Sequence, residues 1–179
     1  MSLLKIGINK TKKEKIVVHR TTEGTVFELA FLMLAVVVWV LVILMLKNAP
    51  DVIATHFDAH GRPNGYGSPW GLLFPCIIMT LTGAGLLFGA YFPHTFNVPV
   101  EVKSPRQYEL LIRMTRIMAL LFLLITLVIP ATLLVFVNHP MTPIFIVIGL
   151  IFVVVIYYCV RINKAKEKSD ITINKDQRK

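Results

Sequence analysis

Four apolar runs, each about as long as a bilayer is thick, limit what this chain can become. The first covers residues 26–46, VFELAFLMLAVVVWVLVILML. As a helix rising 1.5 Å per residue it would measure about 31 Å, close to a hydrocarbon core of about 30 Å. The others cover residues 69–92, 110–137 and 143–160. In lipid a backbone has no water to bond to, so a spanning segment must be a helix or part of a closed barrel. Runs this long and this uniformly apolar predict helices. The expectation is an all-α integral membrane protein with four transmembrane helices. A basic arm (1–25) precedes the membrane domain (26–160), and a basic tail (161–179) follows it.

Charge placement supports this class. Only 16% of residues are charged and 55% are hydrophobic, whereas a soluble domain carries about 25% charged residues. The formal net charge of +9 would suggest nucleic acid in a soluble protein. Here the Lys and Arg flank the apolar runs, and no zinc finger or RNA-binding aromatic motif accompanies them. They read instead as topology signals and contacts to the lipid bilayer. The arm, the middle loop and the tail hold most of them. Residues 47–68 hold only Lys47 and Arg62, and residues 138–142 hold none. The positive-inside rule then predicts a multi-pass protein of the cell membrane with both termini cytoplasmic and residues 48–68 outside. The first run exceeds the about 7–15 apolar residues of a signal peptide, so it reads as a retained anchor. Cys76 and Cys159 fall at opposite faces of the bilayer, too far apart for a disulfide.

Several residues inside the spans stand out. Glu28 lies one turn inside the first, where a contact to Arg113 or Arg116 of the third is expected. Ser68 and Pro69 form a helix start, with serine as cap and proline at the first position. Gly85 and Gly89 form a small-xxx-small pair that could seam a homodimer. Pro130 falls within the third run and should interrupt its hydrogen bonding.

The one polar island between spans is residues 48–68, NAPDVIATHFDAHGRPNGYGS. Residues 51–60 predict about two turns of helix with Val52, Ile53 and Phe57 on an apolar face. Gly61 would end it, Pro63 would follow, and Asn64 with Gly65 would make a tight turn. The loop therefore reads as a short outer helix-turn cap. Three roles compete for it. His56, Asp58 and His60 could be exposed polar residues with no further task. His56 and His60, four apart on one helix face, could bind zinc or copper with His139 from the other outer loop. Or the cap could recognise a peptide or headgroup through His56, Phe57, Gly61, Asn64 and Gly65. HFDAH lacks the glutamate of a zinc-protease motif, and no nucleophile or phosphate-loop pattern occurs. No catalytic site is expected.

The loop resembles a bacterial membrane family of unknown function that forms the N-terminal part of SdpI-like immunity proteins. Its pattern, roughly I-P-x-H-F-x-x-x-G-x-P-D-G-x-G-S-K after a Pro-acid pair, is matched by Pro50, Asp51, Ile53, His56, Phe57, Gly61, Pro63, Gly65, Gly67 and Ser68. Asn97, Pro99, Val100, Gln107, Tyr108 and Arg113 match later pieces. Ala54, Asn64 and Pro69 depart from it, and His60 is not part of it. A further C-terminal segment of the longer family members is not found. The resemblance implies a helical membrane protein that senses, or protects against, a peptide toxin. A metal-binding membrane protein and a small transporter or oligomeric channel are the alternatives.

Overall fold

The structure, a computed structural model, describes residues 21–135 and 142–176, with side chains up to residue 165. The basic arm to residue 20, with its expected extended piece at Ile16, Val17 and Val18, lies outside the described residues, as does His139.

Among the described residues four helices are long and apolar enough to cross a membrane, the pattern of a multi-pass membrane protein. Helix α1 is Thr22–Lys47, α2 is Leu73–Gly89, α3 is Pro105–Leu134 and α4 is Thr142–Asp176. Two strands, β1 (Ile53–Phe57) and β2 (Pro63–Gly67), lie between α1 and α2. A single 3-10 turn, Pro69–Leu72, leads into α2.

Local chemistry sets the helix ends. Thr21 caps α1 by accepting the Gly24 amide at 3.1 Å. At the other end the Leu44 carbonyl accepts both the Asn48 backbone amide at 3.2 Å and the Asn48 side-chain amide at 2.9 Å. Pro69 takes the first position of its turn as expected, but the Ser68 side chain makes no cap bond. Helix α3 starts five residues before the apolar run, in a capping box. Ser104 accepts the Gln107 amide at 3.3 Å, and Gln107 Oε1 accepts the Ser104 amide at 2.9 Å. The apolar run marked where lipid begins, whereas the S-P-R-Q sequence marked where the helix begins. At the far end α4 carries on past its apolar stretch to Asp176, through most of the expected tail.

Helix α3 is the hub, with α1, α2 and α4 each packed against it. Between α1, α2 and α3 the core holds Phe31, Val38, Val42, Leu46, Cys76, Ala119 and Leu123. A second cluster joins α3 to α4 through Leu110, Leu111, Met114, Tyr158 and Ile162. The segment after α2 folds onto this cluster through Phe96, Val98, Val100 and Val102. The remaining apolar surface of α1 and α4 is exposed, as expected where lipid replaces water as solvent.

Glycine placement fixes the closest helix approach. A Cβ on Gly83 would stand 2.8 Å from the Ala119 carbonyl oxygen and 3.0 Å from the Phe31 ring. Gly85 faces open space, and Gly89 is covered by the Phe96 ring. Within the chain, the close helix–helix contact therefore falls on Gly83 rather than on Gly85 or Gly89, whose neighbour Phe96 lies outside the helices.

The expected helix-turn cap is instead an antiparallel β-hairpin. Ile53 pairs with Gly67, Ala54 with Tyr66, His56 with Gly65 and Phe57 with Pro63, with irregular register around residues 55 and 56. Two forces favour strand here. Val52, Ile53 and Thr55 are β-branched and Phe57 is aromatic, types that suit strands. Asp58 then draws the chain back on itself, which a helix through residue 60 would prevent. The turn falls at residues 58–62, not at Asn64 and Gly65. Among the described residues Gly61, at φ 75°, is the one with positive φ.

Candidate recognition hairpin

The hairpin is pinned at its base and held at its tip. At the base, Ile53 is buried among Leu46 of α1, Leu72 and the end of α3. At the tip, Asp58 Oδ1 accepts the amides of His60 at 2.8 Å and Arg62 at 2.9 Å. The Asp58 amide donates to the Arg62 carbonyl at 2.9 Å, and the Gly61 amide to the Asp58 carbonyl at 3.0 Å. Asp58 is thus a turn-forming residue, with its carboxylate turned onto backbone. Its bonds run to amides two and four residues on, a pattern that along the chain alone does not distinguish it from a surface acid.

Between base and tip the strands bring three of the expected site residues together. His56 Nδ1 and Asn64 Oδ1 are 2.5 Å apart. An amide oxygen can only accept, so Nδ1 is the donor in this contact. The imidazole is exposed, with Nε2 not engaged by this contact. Gly65 makes the pairing possible, since a Cβ there would lie 2.9 Å from the His56 Cβ.

The other expected residues have different positions. Phe57 is half-buried opposite Pro63. Gly61 supplies the turn conformation. His60 sits in the turn, and its amide serves Asp58. The helical spacing that put His56 and His60 on one face does not exist, because one lies on β1 and the other in the turn. Among the described residues no group of three or more His, Cys, Asp or Glu side chains is placed to hold a metal ion. Val52 and Tyr66 add exposed apolar surface, 62% and 68% accessible, and Trp70 stands at the start of the next span. A cleft of about 320 Å³ opens at the hairpin root between Leu44 and Met45 of α1 and Leu134 of α3, beside Pro50. The arrangement offers hydrogen-bonding and aromatic groups on a braced ridge, without a nucleophile and base in contact.

Polar groups inside the bundle pair across helices. Trp39 Nε1 donates to Thr80 Oγ1 at 3.2 Å, and Thr80 also donates to the Cys76 carbonyl at 2.9 Å. The Cys76 thiol donates to the Thr126 carbonyl at 3.4 Å. Glu28 accepts from the Tyr91 hydroxyl. Arg113 bonds Glu23 at 2.8 Å, one turn earlier on α1 than the glutamate expected for it. Glu23 lies just before the first apolar run and Tyr91 at the very end of the second, so neither stands out as an intramembrane partner along the chain.

A family described as "Domain of unknown function (DUF1648)" matches residues 33–80. That stretch comprises most of α1, the whole hairpin and the first part of α2. No curated protein matches the chain, and no solved structure does.

Proposed function

We propose that this membrane protein is an SdpI-like sensing or immunity protein whose hairpin recognises a peptide at the outer face of the cell membrane. One observation carries the reading: His56, locked by Asn64 on a hairpin braced by Ile53 and Asp58, presents Nε2 outward. A side chain with no task beyond solubility has no need of such support, since preorganisation matters when a partner must be met in one geometry. The family match covers the whole hairpin and supports it as the shared element. The exposed Val52 and Tyr66 suit an amphipathic peptide. Basic residues at the opposite end of the bundle support cytoplasmic termini.

The test is survival. Cells expressing the protein are challenged with membrane-active peptide toxins and compared with cells expressing His56→Ala, Tyr66→Ala and the double variant at equal membrane abundance. Protection by the parent and its loss in the variants is the expected result. Equal sensitivity in all strains would remove the immunity role. Thiol labelling of single cysteines placed at Ala59 and in the tail, in intact and opened cells, checks the orientation.

A further inference from the structure

Arg116 has no ionic role in the account above. It is 4% exposed, and its Nη2 atom is buried with no hydrogen-bond partner. A guanidinium carries five donors, no acceptor and a permanent charge. Holding one inside a bundle without a matching acceptor is costly.

Its position indicates what it lacks. The guanidinium lies on the first turn of α1. A Cβ on Gly24 would stand 2.6 Å from Nη2 and 3.2 Å from Cζ. Glycine is therefore required for the arginine to lie there, although glycine is a poor helix former. The same turn is an electropositive end. In a 26-residue helix the amides of Thr22 and Glu23 have no acceptor within the helix, and the peptide dipoles add partial positive charge. The adjacent Thr21 hydroxyl is engaged in accepting the Gly24 amide. The neighbouring acids are also engaged: Glu23 bonds Arg113, and Glu28 bonds Tyr91.

We propose that Arg116 and the first turn of α1 form an anion site for a phosphate group. A tetrahedral phosphate accepts from a guanidinium and from helix amides at the same time. Thr21 and Thr22 are exposed, so an anion reaches the turn from the helix end. This is the end at which α1 begins its span, the level of lipid headgroups. The phosphate of an anionic phospholipid and free inorganic phosphate share the required chemistry.

The experiment follows thermal unfolding of the full chain in delipidated detergent micelles. Phosphatidylglycerol, diacylglycerol with the same acyl chains, or inorganic phosphate is titrated in. The expected result is a rise in midpoint with phosphatidylglycerol and none with diacylglycerol. In Arg116→Gln the apparent affinity should fall roughly tenfold or more, the change for one lost charge-assisted contact. Arg106→Gln, which alters an exposed arginine paired with Glu109, should keep it. A rise with inorganic phosphate alone that also depends on Arg116 supports the site and assigns it to the free anion. If Arg116→Gln fails to fold, Gly24→Ala serves instead, since its methyl group displaces the guanidinium from the turn. A midpoint rise of the same size in whichever variant folds would overturn the site, as would no rise with any phosphate compound.

Discussion

The Cys76 thiol donates to the Thr126 carbonyl at 3.4 Å, and that carbonyl belongs to the residue four before Pro130. Proline has no amide, so α3 leaves the Thr126 carbonyl without its helical donor. In lipid no water replaces it, and neighbouring helices must supply donors where proline interrupts a span. A small thiol on α2 does so here. The interruption expected at Pro130 and the free thiol of Cys76 are therefore coupled positions. Cys76→Ala should destabilise the bundle by about 1 kcal/mol, the scale of a lost buried bond, and Cys76→Ser should be closer to the parent. Pro130→Ala restores the amide, so the cost of Cys76→Ala should shrink in that background. Unfolding in mixed micelles across the four proteins measures the coupling. Purely additive effects would contradict the pairing.

Glycines in α2 give a second, internally controlled comparison. Gly83→Ala places a methyl 2.8 Å from the Ala119 carbonyl oxygen, in backbone that cannot turn aside. It should cost about 1–3 kcal/mol, as overpacking does. Gly85→Ala meets nothing within 4 Å and should be neutral or stabilise by up to about 1 kcal/mol through helix propensity. Equal losses at both positions in the isolated monomer would show that α2 packs on a different face.

How far the sequence carried differs between spans and loop for a physical reason. A span is specified by about twenty residues that must all be apolar, and the four helices occur where such runs occur. The hairpin is specified by a few short-range choices. Val52, Ile53, Thr55 and Phe57 carried the strand signal, but Val52, Ile53 and Phe57 also fit one face of a helix. What decides between them is Ile53 burying itself in the bundle end and Asp58 bonding the amides of His60 and Arg62. Neither contact is visible along the chain. The site residues His56, Asn64 and Gly65 were found as members of a polar island, while their mutual geometry needed the strand register. Ser104 and Gln107 differ again. Their capping-box spacing is readable along the chain, but the apolar run that signals the span begins five residues after the helix does.

Gln107 is the polar residue on which the α3 start depends. It is 1% exposed. Its Oε1 accepts the amides of Lys103 and Ser104, and its Nε2 donates to the carbonyls of Glu101 and Ile162. One side chain thus joins the preceding loop, the first turn of α3 and the middle of α4. Gln107→Ala leaves those groups unpaired in a closed site and should cost about 2–3 kcal/mol, the upper range for buried polar groups. Gln107→Glu keeps the acceptor and loses the donor, so it should retain the cap and loosen α4. Hydrogen exchange separates the two. The alanine variant should expose the Lys103 and Ser104 amides, and the glutamate variant should leave them protected.

Asp58 and Gly61 offer a test of the hairpin that leaves the membrane bundle alone. Asp58 Oδ1 holds the His60 and Arg62 amides, and Gly61 takes φ 75°, a conformation that costs other residues about 1–2 kcal/mol. Asp58→Ala and Gly61→Val should each open the turn. Exchange at the His60 and Arg62 amides should rise about tenfold, the equivalent of about 1.4 kcal/mol of local stability. The bundle should unfold at an unchanged midpoint, because the tip buries nothing between helices. The same variants should weaken protection against a peptide toxin almost as much as His56→Ala. They leave the imidazole in place and remove only the frame that orients it. Full protection with an opened turn would mean that recognition does not depend on the locked geometry of His56 and Asn64.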